Sequence, residues 1–147
     1  MRASDLAVPW PTVELSTPAL AAARMLADAD LPGLIVVDAS GAPFAVLPGT
    51  QVLRLAVPSY CQEDPTLAHL VDEAAADVFM RELGDLSVRE CLPPQPHELP
   101  VVDPSATALE LAALMARTRS PLVAVVDRGR LLGAVTLHNL LDRVMPV

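Results

Sequence analysis

Apolar and polar positions follow the same order in two parts of the chain. Residues 13–38, VELSTPALAAARMLADADLPGLIVVD, align without a gap with residues 102–127, VDPSATALELAALMARTRSPLVAVVD. The turn that follows is one residue shorter in the second copy, and the alignment then continues to Pro58 and Pro146. Repetition of this kind indicates one supersecondary unit used twice.

Each copy predicts a β-α-β-β-α unit. Small and apolar residues at helical spacing follow a short extended segment. The continuous apolar runs LIVV and LVAVV are typical of strands that are buried on both faces, and DASG or DRG then forms a turn to a second strand. The predicted elements, with the first copy before the second, are Thr12–Leu15 and Leu99–Val102, Pro18–Ala29 and Ala106–Thr118, Leu34–Val37 and Leu122–Val126, Pro43–Leu47 and Leu131–Val135, Thr50–Ala56 and His138–Val144.

The pattern also predicts where the two longer helices begin and which face they bury. Ser16 or Thr17, before Pro18, is expected to cap the first, and Asp103 or Ser105 the second. One stripe of each helix is expected to face the core, formed by Leu20, Ala23 and Ala27 in the first copy and by Leu109, Ala112 and Met115 in the second.

The segment between the copies has a helical pattern of its own. Apolar residues recur at helical spacing from Asp64 to Leu83, which predicts an inserted helix, and residues 93–100 form a proline-rich connector. The predicted organisation is a first repeat over residues 1–58, a helical insert and linker over 59–86, and a second repeat over 87–147, together making one module.

Composition and charge exclude several classes of protein. The 147 residues are 52% hydrophobic, and the mean hydropathy of +0.42 predicts a packed core. Ten basic and eighteen acidic residues give a net charge of −8, the wrong sign for a general nucleic-acid-binding protein. All ten basic residues are arginine, which excludes P-loop and lysine Schiff-base chemistry.

Cysteines, histidines and hydropathy predict neither a metal site nor a membrane segment. Cys61 and Cys91 lie in no CxxC motif, and His69, His97 and His138 share no ligand spacing with them. The apolar runs fall far short of the roughly 20 residues of a membrane span, and the N-terminus has no signal-peptide pattern. We therefore expect a cytoplasmic protein without membrane insertion.

The tandem unit, in which VVD and a turn glycine precede a strand reading LLGAVTLHNLL, resembles the CBS domain family, named for cystathionine β-synthase. The resemblance covers essentially the whole chain and implies an α/β fold: two β-α-β-β-α repeats about a pseudo-two-fold axis, often called a Bateman module, here with an inserted helix. It also implies a regulatory protein that dimerises and binds an adenine nucleotide or a related ligand in a cleft between the repeats.

The resemblance assigns ligand contacts residue by residue. The family has Ser or Thr at the end of the third strand, for phosphate or ribose, and Asp three residues later, for the ribose hydroxyls. Thr136 and Asn139 occupy these positions, and an amide can bind a diol without supplying charge. The segment that holds the base maps to Ser120, Pro121 and Leu122. In the first repeat the hydroxyl and acid positions are Pro48 and Gln51, so that copy has lost the signature.

Each of these residues also has a simpler interpretation. Thr136 and Asn139 also suit the N-cap region of the last helix. His138 is either a phosphate contact or an exposed residue at a helix N-terminus, and Arg119, which precedes the base segment, is either a phosphate contact or a solvated helix end. A nucleoside triphosphate would be favoured only if Arg119 converged with its neighbours Arg117, Arg128 and Arg130.

The leading hypothesis is a stand-alone, homodimeric regulatory module that binds AMP, ADP, ATP or S-adenosylmethionine in one cleft and modulates an unidentified partner protein. By family analogy the helices Thr50–Ala56 and His138–Val144 form the dimer contact, and Trp10, between Pro9 and Pro11, packs at the module's edge or on the dimer mate. The alternative is a ligand-free dimeric scaffold that binds an enzyme or transporter. No catalytic residue set and no resident cofactor are predicted.

Overall fold

The computed structural model describes residues 1–56, 63, 66, 75–95 and 99–145 of the chain. Cys61, His69, His97 and most of the predicted insert lie outside these residues. The described elements are α1 (Ala3–Leu6), β1 (Thr12–Val13), α2 (Ala19–Ala29), β2 (Gly33–Val37), β3 (Pro43–Pro48), α3 (Gly49–Ala56), α4 (Ala75–Leu83), α5 (Val88–Cys91), β4 (Val101–Val102), α6 (Ala108–Thr118), β5 (Leu122–Asp127), β6 (Arg130–Thr136) and α7 (Leu137–Val144).

The two copies form two three-stranded sheets, with strand orders β1-β2-β3 and β4-β5-β6, which confirms the predicted α/β class. In the second sheet β5 is central: it pairs in parallel with β4 and antiparallel with β6. The central strands have almost no exposed apolar side chain, and Leu34, Ile35 and Val36 of β2 are all 0% exposed. Burial on both faces explains why these strands are continuous apolar runs rather than alternating ones.

The predicted helix caps are wrong in both copies. Pro18 is the N-cap of α2 and makes no side-chain cap hydrogen bond, while the hydroxyl of Thr17 accepts from the amide of Glu14 at 3.0 Å. The N-cap of α6 is Thr107, whose hydroxyl accepts from the amide of Glu110 at 3.2 Å. Asp103 and Ser105 instead close a turn before the helix, because an Oδ1 of Asp103 accepts from the amide of Ser105 at 2.7 Å.

The predicted buried stripe is only partly correct in α6. Met115 is 4% exposed, as predicted, but Leu109 is 79% exposed, and Leu111, which was not in the predicted stripe, is fully buried. In α2 the buried positions are Ala19 and Ala22, while Leu20 and Ala23 are half-buried and Ala27 is exposed. The helices are rich in alanine, so several stripes are apolar enough to face a sheet, and only the packing selects one.

The described chain divides into two compact units that each combine separate segments: residues 1–12, 37–45 and 98–147, and residues 13–36 and 46–97. In the first unit, the short helix α1 packs against the start of the second repeat. The amide of Ala3 donates to the carbonyl of Ala106 at 2.7 Å, and the amide of Ser4 donates to that of Pro104 at 3.0 Å. Two further hydrogen bonds, both 2.9 Å, pair Val8 with Ala134 of β6.

The second unit uses the same arrangement with helix α5. The amide of Val88 donates to the carbonyl of Thr17 at 2.8 Å, and that of Arg89 donates to Leu15 at 3.0 Å. Each short helix begins with a carboxylate at its third position that accepts from the N-cap amide at 2.8 Å, Asp5 in α1 and Glu90 in α5. These paired short helices are an additional element of the repeat that the sequence pattern did not predict.

Candidate functional site

The candidate ligand residues of the second repeat lie at one end of its sheet. The antiparallel register places Leu122, at the start of β5, opposite Thr136, at the end of β6. The amide of Leu137 then donates to the carbonyl of Pro121 at 2.9 Å. The base-holding segment predicted from the resemblance is therefore adjacent to the strand-to-helix junction that carries Thr136 and Asn139.

A pocket of about 450 Å³ opens beside this junction, between α6 and α7. Three of the seven candidate residues, Arg119, Ser120 and Pro121, line it. Its remaining walls are apolar and come from the two helices: Ala112, Met115, Ala116, Leu137, Leu140, Leu141 and Val144. The volume lies within the roughly 300–1,000 Å³ range of small-molecule pockets, and a mainly apolar wall with a few polar groups is typical of them.

Arg119 reaches this position because the helix ends in a left-handed residue. Its φ is 56° and its ψ 27°, the conformation that terminates α6, and Asp30 ends α2 in the same way with φ 51°. Next along the chain, the hydroxyl of Ser120 donates to the carbonyl of Leu122 at 2.7 Å, which holds the backbone of the segment in place. The side chain of Leu122 is only 1% exposed and belongs to the core.

Thr136 is the N-cap of α7. Its hydroxyl oxygen accepts from the amide of Asn139 at 3.0 Å, as the simpler interpretation of this residue predicts. The hydroxyl proton still gives Thr136 one donor. His138, in the first turn of α7, is exposed, and neither residue lines the pocket.

Asn139 is bound to the N-terminal segment, a contact that sequence reasoning missed. Its Nδ2 donates to the carbonyl of Leu6, the last residue of α1, at 2.7 Å. An aspartate at this position would bring a carboxylate to a carbonyl oxygen with no proton to share. The departure from the family's acid therefore has a structural reason here, and the Oδ1 of Asn139 is left as an acceptor.

The arginines do not converge. Arg119 precedes β5, whereas Arg128 and Arg130 lie around the turn after it. A strand of this length spans about 17 Å at roughly 3.4 Å per residue. The condition that would have favoured a nucleoside triphosphate is therefore not met.

The corresponding junction of the first repeat keeps the backbone hydrogen bond but not the side-chain hydroxyl. The amide of Gly49 donates to the carbonyl of Pro32 at 3.4 Å, as Leu137 does to Pro121. Pro48, the last residue of β3, has no hydroxyl, and Gln51 stands in the first turn of α3 in place of an acid. This copy therefore lacks the hydroxyl that Thr136 supplies in the second copy, while a side-chain amide stands at the acid position in both.

Other reactive groups in the described residues offer no alternative site. Cys91 is completely buried, and burial is the main cause that raises the pKa of its thiol, followed by the charge of Glu90. Among the described residues no cluster of three or more histidine, cysteine or acidic side chains has a metal-binding arrangement. The described helices also include none with the length and apolar character to cross a membrane.

Comparison with known proteins identifies relatives of the whole chain. The family model for the CBS domain matches residues 88–146. A CBS domain-containing protein from Kribbella flavida is 49% identical, with 98% of each chain covered and a TM-score of 0.90. The CBS-pair protein CBSX2 from Arabidopsis thaliana is 21% identical over 97% of this chain and 92% of its own, with a TM-score of 0.72.

A structure of CBSX2 in complex with AMP is 23% identical over 97% of this chain and 94% of that one, with a TM-score of 0.67. None of the curated proteins matches this chain.

Proposed function

The chain belongs to the CBS domain family, and from that membership we propose that it is a regulatory CBS-pair module which binds an adenosine-type ligand and modulates a partner protein. The observation that carries the proposal is the pocket beside Arg119, Ser120 and Pro121, because this segment is the one that the family uses to hold the base. A CBS-pair neighbour that binds AMP supports the same ligand class.

The groups around this pocket suit a nucleoside monophosphate. The guanidinium of Arg119 is exposed and can form charge-assisted hydrogen bonds to a phosphate. Leu137 and Leu141 offer apolar surface to a purine ring. The Thr136 hydroxyl can donate, and the Asn139 Oδ1 can accept from a ribose hydroxyl while Nδ2 remains bound to Leu6.

Regulation would follow from a shift between two populations of the module. A ligand changes the surface that a partner meets only if it binds one conformation more tightly than the other. The hydrogen bond between Asn139 and Leu6 joins the ligand residues to the N-terminal helix α1, so that helix is the element whose position a bound ligand would affect first. This role is regulatory and requires no catalytic residues.

Thermal denaturation with AMP, ADP, ATP and S-adenosylmethionine tests the proposal. A ligand present at 100 times its dissociation constant stabilises the native state by about 2.7 kcal/mol, which corresponds to a rise of several degrees in the melting temperature of a protein of this size. We expect the largest rise with AMP, because the second repeat brings a single arginine to the pocket.

Two capping variants separate a ligand role of Thr136 from its structural role. Thr136→Ala and Thr107→Ala each remove a hydroxyl that caps a helix, at a cost of about 1 kcal/mol. Only Thr136→Ala should also reduce the rise caused by AMP. An equal response to AMP in both variants would show that Thr136 does not contact the ligand, and a flat response of the unaltered protein to all four compounds would reject the proposed ligand class.

A ligand-free scaffold is the second candidate, and one observation favours it. Thr136 and Asn139, which carry what remains of the family signature, both make hydrogen bonds within the fold. In that case the module would act by binding its partner directly. A flat ligand panel together with an intact melting transition is the result expected for a scaffold.

We also propose that the protein forms homodimers through its closing helices. Leu137, Leu141 and Val144 of α7 are between 43% and 48% exposed, and Leu53 of α3 is 50% exposed. Apolar side chains exposed along helices in this way are often covered by another protein surface. Sedimentation of the unaltered protein and of Leu53→Glu tests this: the dimer should be lost in the variant, and Leu53 does not line the pocket beside Arg119.

A further inference from the structure

A second pocket lies at the opposite end of the second sheet from Arg119 and Thr136. It measures about 530 Å³ and belongs to the compact unit formed by residues 1–12, 37–45 and 98–147. Two hairpin turns and the segment before β1 build it, and its lining comprises Trp10, Thr12, Val37, Ser40, Gly41, Arg128, Gly129, Arg130 and Leu131.

The charge of this pocket contrasts with the rest of the chain. Arg128 and Arg130 both line it in a protein of net charge −8. Both are exposed, and within the described residues neither guanidinium is engaged in an ion pair or a hydrogen bond. Asp38, which precedes Ser40 and Gly41, and Asp127, which precedes Arg128, are not among the lining residues.

The carboxylate of Asp38 is occupied by its own turn. Its Oδ1 accepts from the amides of Ser40 and Ala42, at 2.9 and 3.1 Å, and from the hydroxyl of Ser40 at 2.6 Å. These hydrogen bonds, that of the Ser40 hydroxyl above all, hold the pKa of Asp38 below its usual value. Asp127 lies opposite Arg130 in the ladder of β5 and β6, but no ion pair joins the two side chains. Among the described residues the two guanidinium groups therefore remain available to an anion from solution.

The turns also bring Arg128 to the pocket at a conformational cost. Arg128 has a φ of 54° and Gly129 a φ of 78°. Two positive φ values in succession are typical of the tight hairpin turn in which Asn-Gly is the preferred pair, and a bulky residue adopts the first position less readily than asparagine does. The structure retains an arginine where a local turn preference alone would select another residue.

The remaining walls are flat or apolar. Trp10 contributes an indole, and Val37 and Leu131 contribute aliphatic side chains. An indole face is a suitable surface for a planar ring, and an arginine guanidinium can bind a carboxylate or phosphate through two parallel hydrogen bonds. The pocket therefore offers a surface for a planar ring and a separate site for a negative charge.

We propose that this pocket binds a small planar organic anion, with its ring against Trp10 and its carboxylate or phosphate between Arg128 and Arg130. The proposal is independent of an adenosine-type ligand beside Arg119, because the two pockets share no residue. The module would then have two separate ligand sites.

Tryptophan fluorescence reports on this pocket directly, since Trp10 is the only tryptophan in the chain. Phenyl phosphate, benzoate, neutral benzamide and inorganic phosphate are titrated into the full-length protein. Phenyl phosphate and benzoate should change the emission saturably, and benzamide and inorganic phosphate should each bind at least tenfold more weakly, because each lacks one half of the recognised chemistry. Equal binding of benzamide and benzoate would overturn the assignment of the arginines.

Charge-matched variants complete the test. Arg128→Gln combined with Arg130→Gln should weaken benzoate binding at least tenfold. Arg117→Gln combined with Arg143→Gln removes the same charge from exposed positions that line neither pocket, and should leave it unchanged. Equal loss in both double variants would show a general charge effect and reject the site.

The same variants distinguish the two proposals. AMP binding that survives in the Arg128 and Arg130 double variant, while benzoate binding is lost, is the result expected if both proposals hold. If the unaltered protein binds benzoate but shows no response to AMP, only the proposed function is rejected. Absence of any saturable change in Trp10 emission would reject only the second site.

Discussion

Replacing Gly133 with alanine should detach the N-terminal segment from the second repeat. A Cβ at this position would lie 2.5 Å from the carbonyl oxygen of Val8 and 3.1 Å from its carbonyl carbon. Both are backbone atoms of Val8, which forms an isolated bridge with Ala134, so no side-chain rotation relieves the clash. The glycine is required because a second backbone approaches β6 at this point.

The cost can be estimated from the contacts that would be lost. The two hydrogen bonds between Val8 and Ala134 contribute about 0.5–1.5 kcal/mol each, and exposing Leu6, which is 1% exposed, costs about 1.5–3 kcal/mol. A partial detachment should therefore lower the free energy of unfolding by about 2–4 kcal/mol. At roughly 4 °C per kcal/mol for a chain of this length, the melting temperature should fall by about 8–16 °C.

The assay is a thermal melt of Gly133→Ala in the full chain and in a chain that lacks residues 1–8. Gly49→Ala is the control, since a Cβ there comes no closer than 4.0 Å to Leu26 and should be neutral or stabilising. The effect of Gly133→Ala should nearly vanish once residues 1–8 are removed, because the clashing carbonyl is gone. An undiminished effect in the shortened chain would refute this explanation.

Three further changes have clear expected outcomes. Arg119→Gly and Asp30→Gly should each raise the melting temperature, because glycine relieves about 1 kcal/mol of backbone strain at a residue with positive φ. Only Arg119→Gly should also weaken AMP binding. An unchanged melting temperature in both variants would contradict the strain argument. In urea unfolding, Leu111→Ala should cost about 2–5 kcal/mol and Leu109→Ala under about 0.5 kcal/mol, and similar costs would contradict the assigned helix face. Hydrogen bonds from Ser105 lower the pKa of Asp103, so the Asp103 carboxylate should stabilise the folded state above its usual pKa near 3.8, and this stabilisation should disappear as the pH falls through the lower folded value. In pH-dependent melts, the difference in melting temperature between the unaltered protein and Asp103→Ala should therefore shrink in that range. A difference that stays constant would exclude the linkage.

The comparison of Gly133 with Ala45 illustrates how far the repeat can be predicted. The two residues occupy the same position of the two copies, and the repeat alone gives no reason for the difference. The structure supplies one: Val8 pairs with β6, whereas its counterpart after α5 is Pro93, which has no amide to donate. Alanine is therefore tolerated at position 45 and excluded at position 133.

The candidate site was predictable in part. Of the residues that line the pocket, the family resemblance identified Ser120 and Pro121, and the register of β5 and β6 brings this segment next to Thr136. The apolar walls from α6 and α7 were not predicted as part of the site. The contact of Asn139 with Leu6 joins residues at opposite ends of the chain, and no local pattern reports such a hydrogen bond. The sequence did contain a signal for the short helices α1 and α5, because an acid three residues after Arg2 and after Ser87 marks a helix N-terminus in both places.

The sequence by itself determined the ten elements of the two β-α-β-β-α units, their order and the family, but not the short helices α1 and α5. Runs of apolar residues, turn residues and helical spacing act within a few positions of one another, and their repetition along the chain gave two separate indications of each element. The strand bounds accordingly differ from the prediction by one or two residues per strand, with the larger differences at β1, β4 and β6.

Only the tertiary structure decided which helix face is buried, which residue caps each helix, and where the arginines and Trp10 lie. The alanine-rich helices have several faces of similar hydrophobicity, so contact with the sheet selected among them. The separation of Arg119 from Arg128 follows from the length of β5, and the meeting of Trp10 with Arg128 follows from the packing of two distant segments. These features depend on contacts between residues far apart in the chain, and a local pattern carries no information about them.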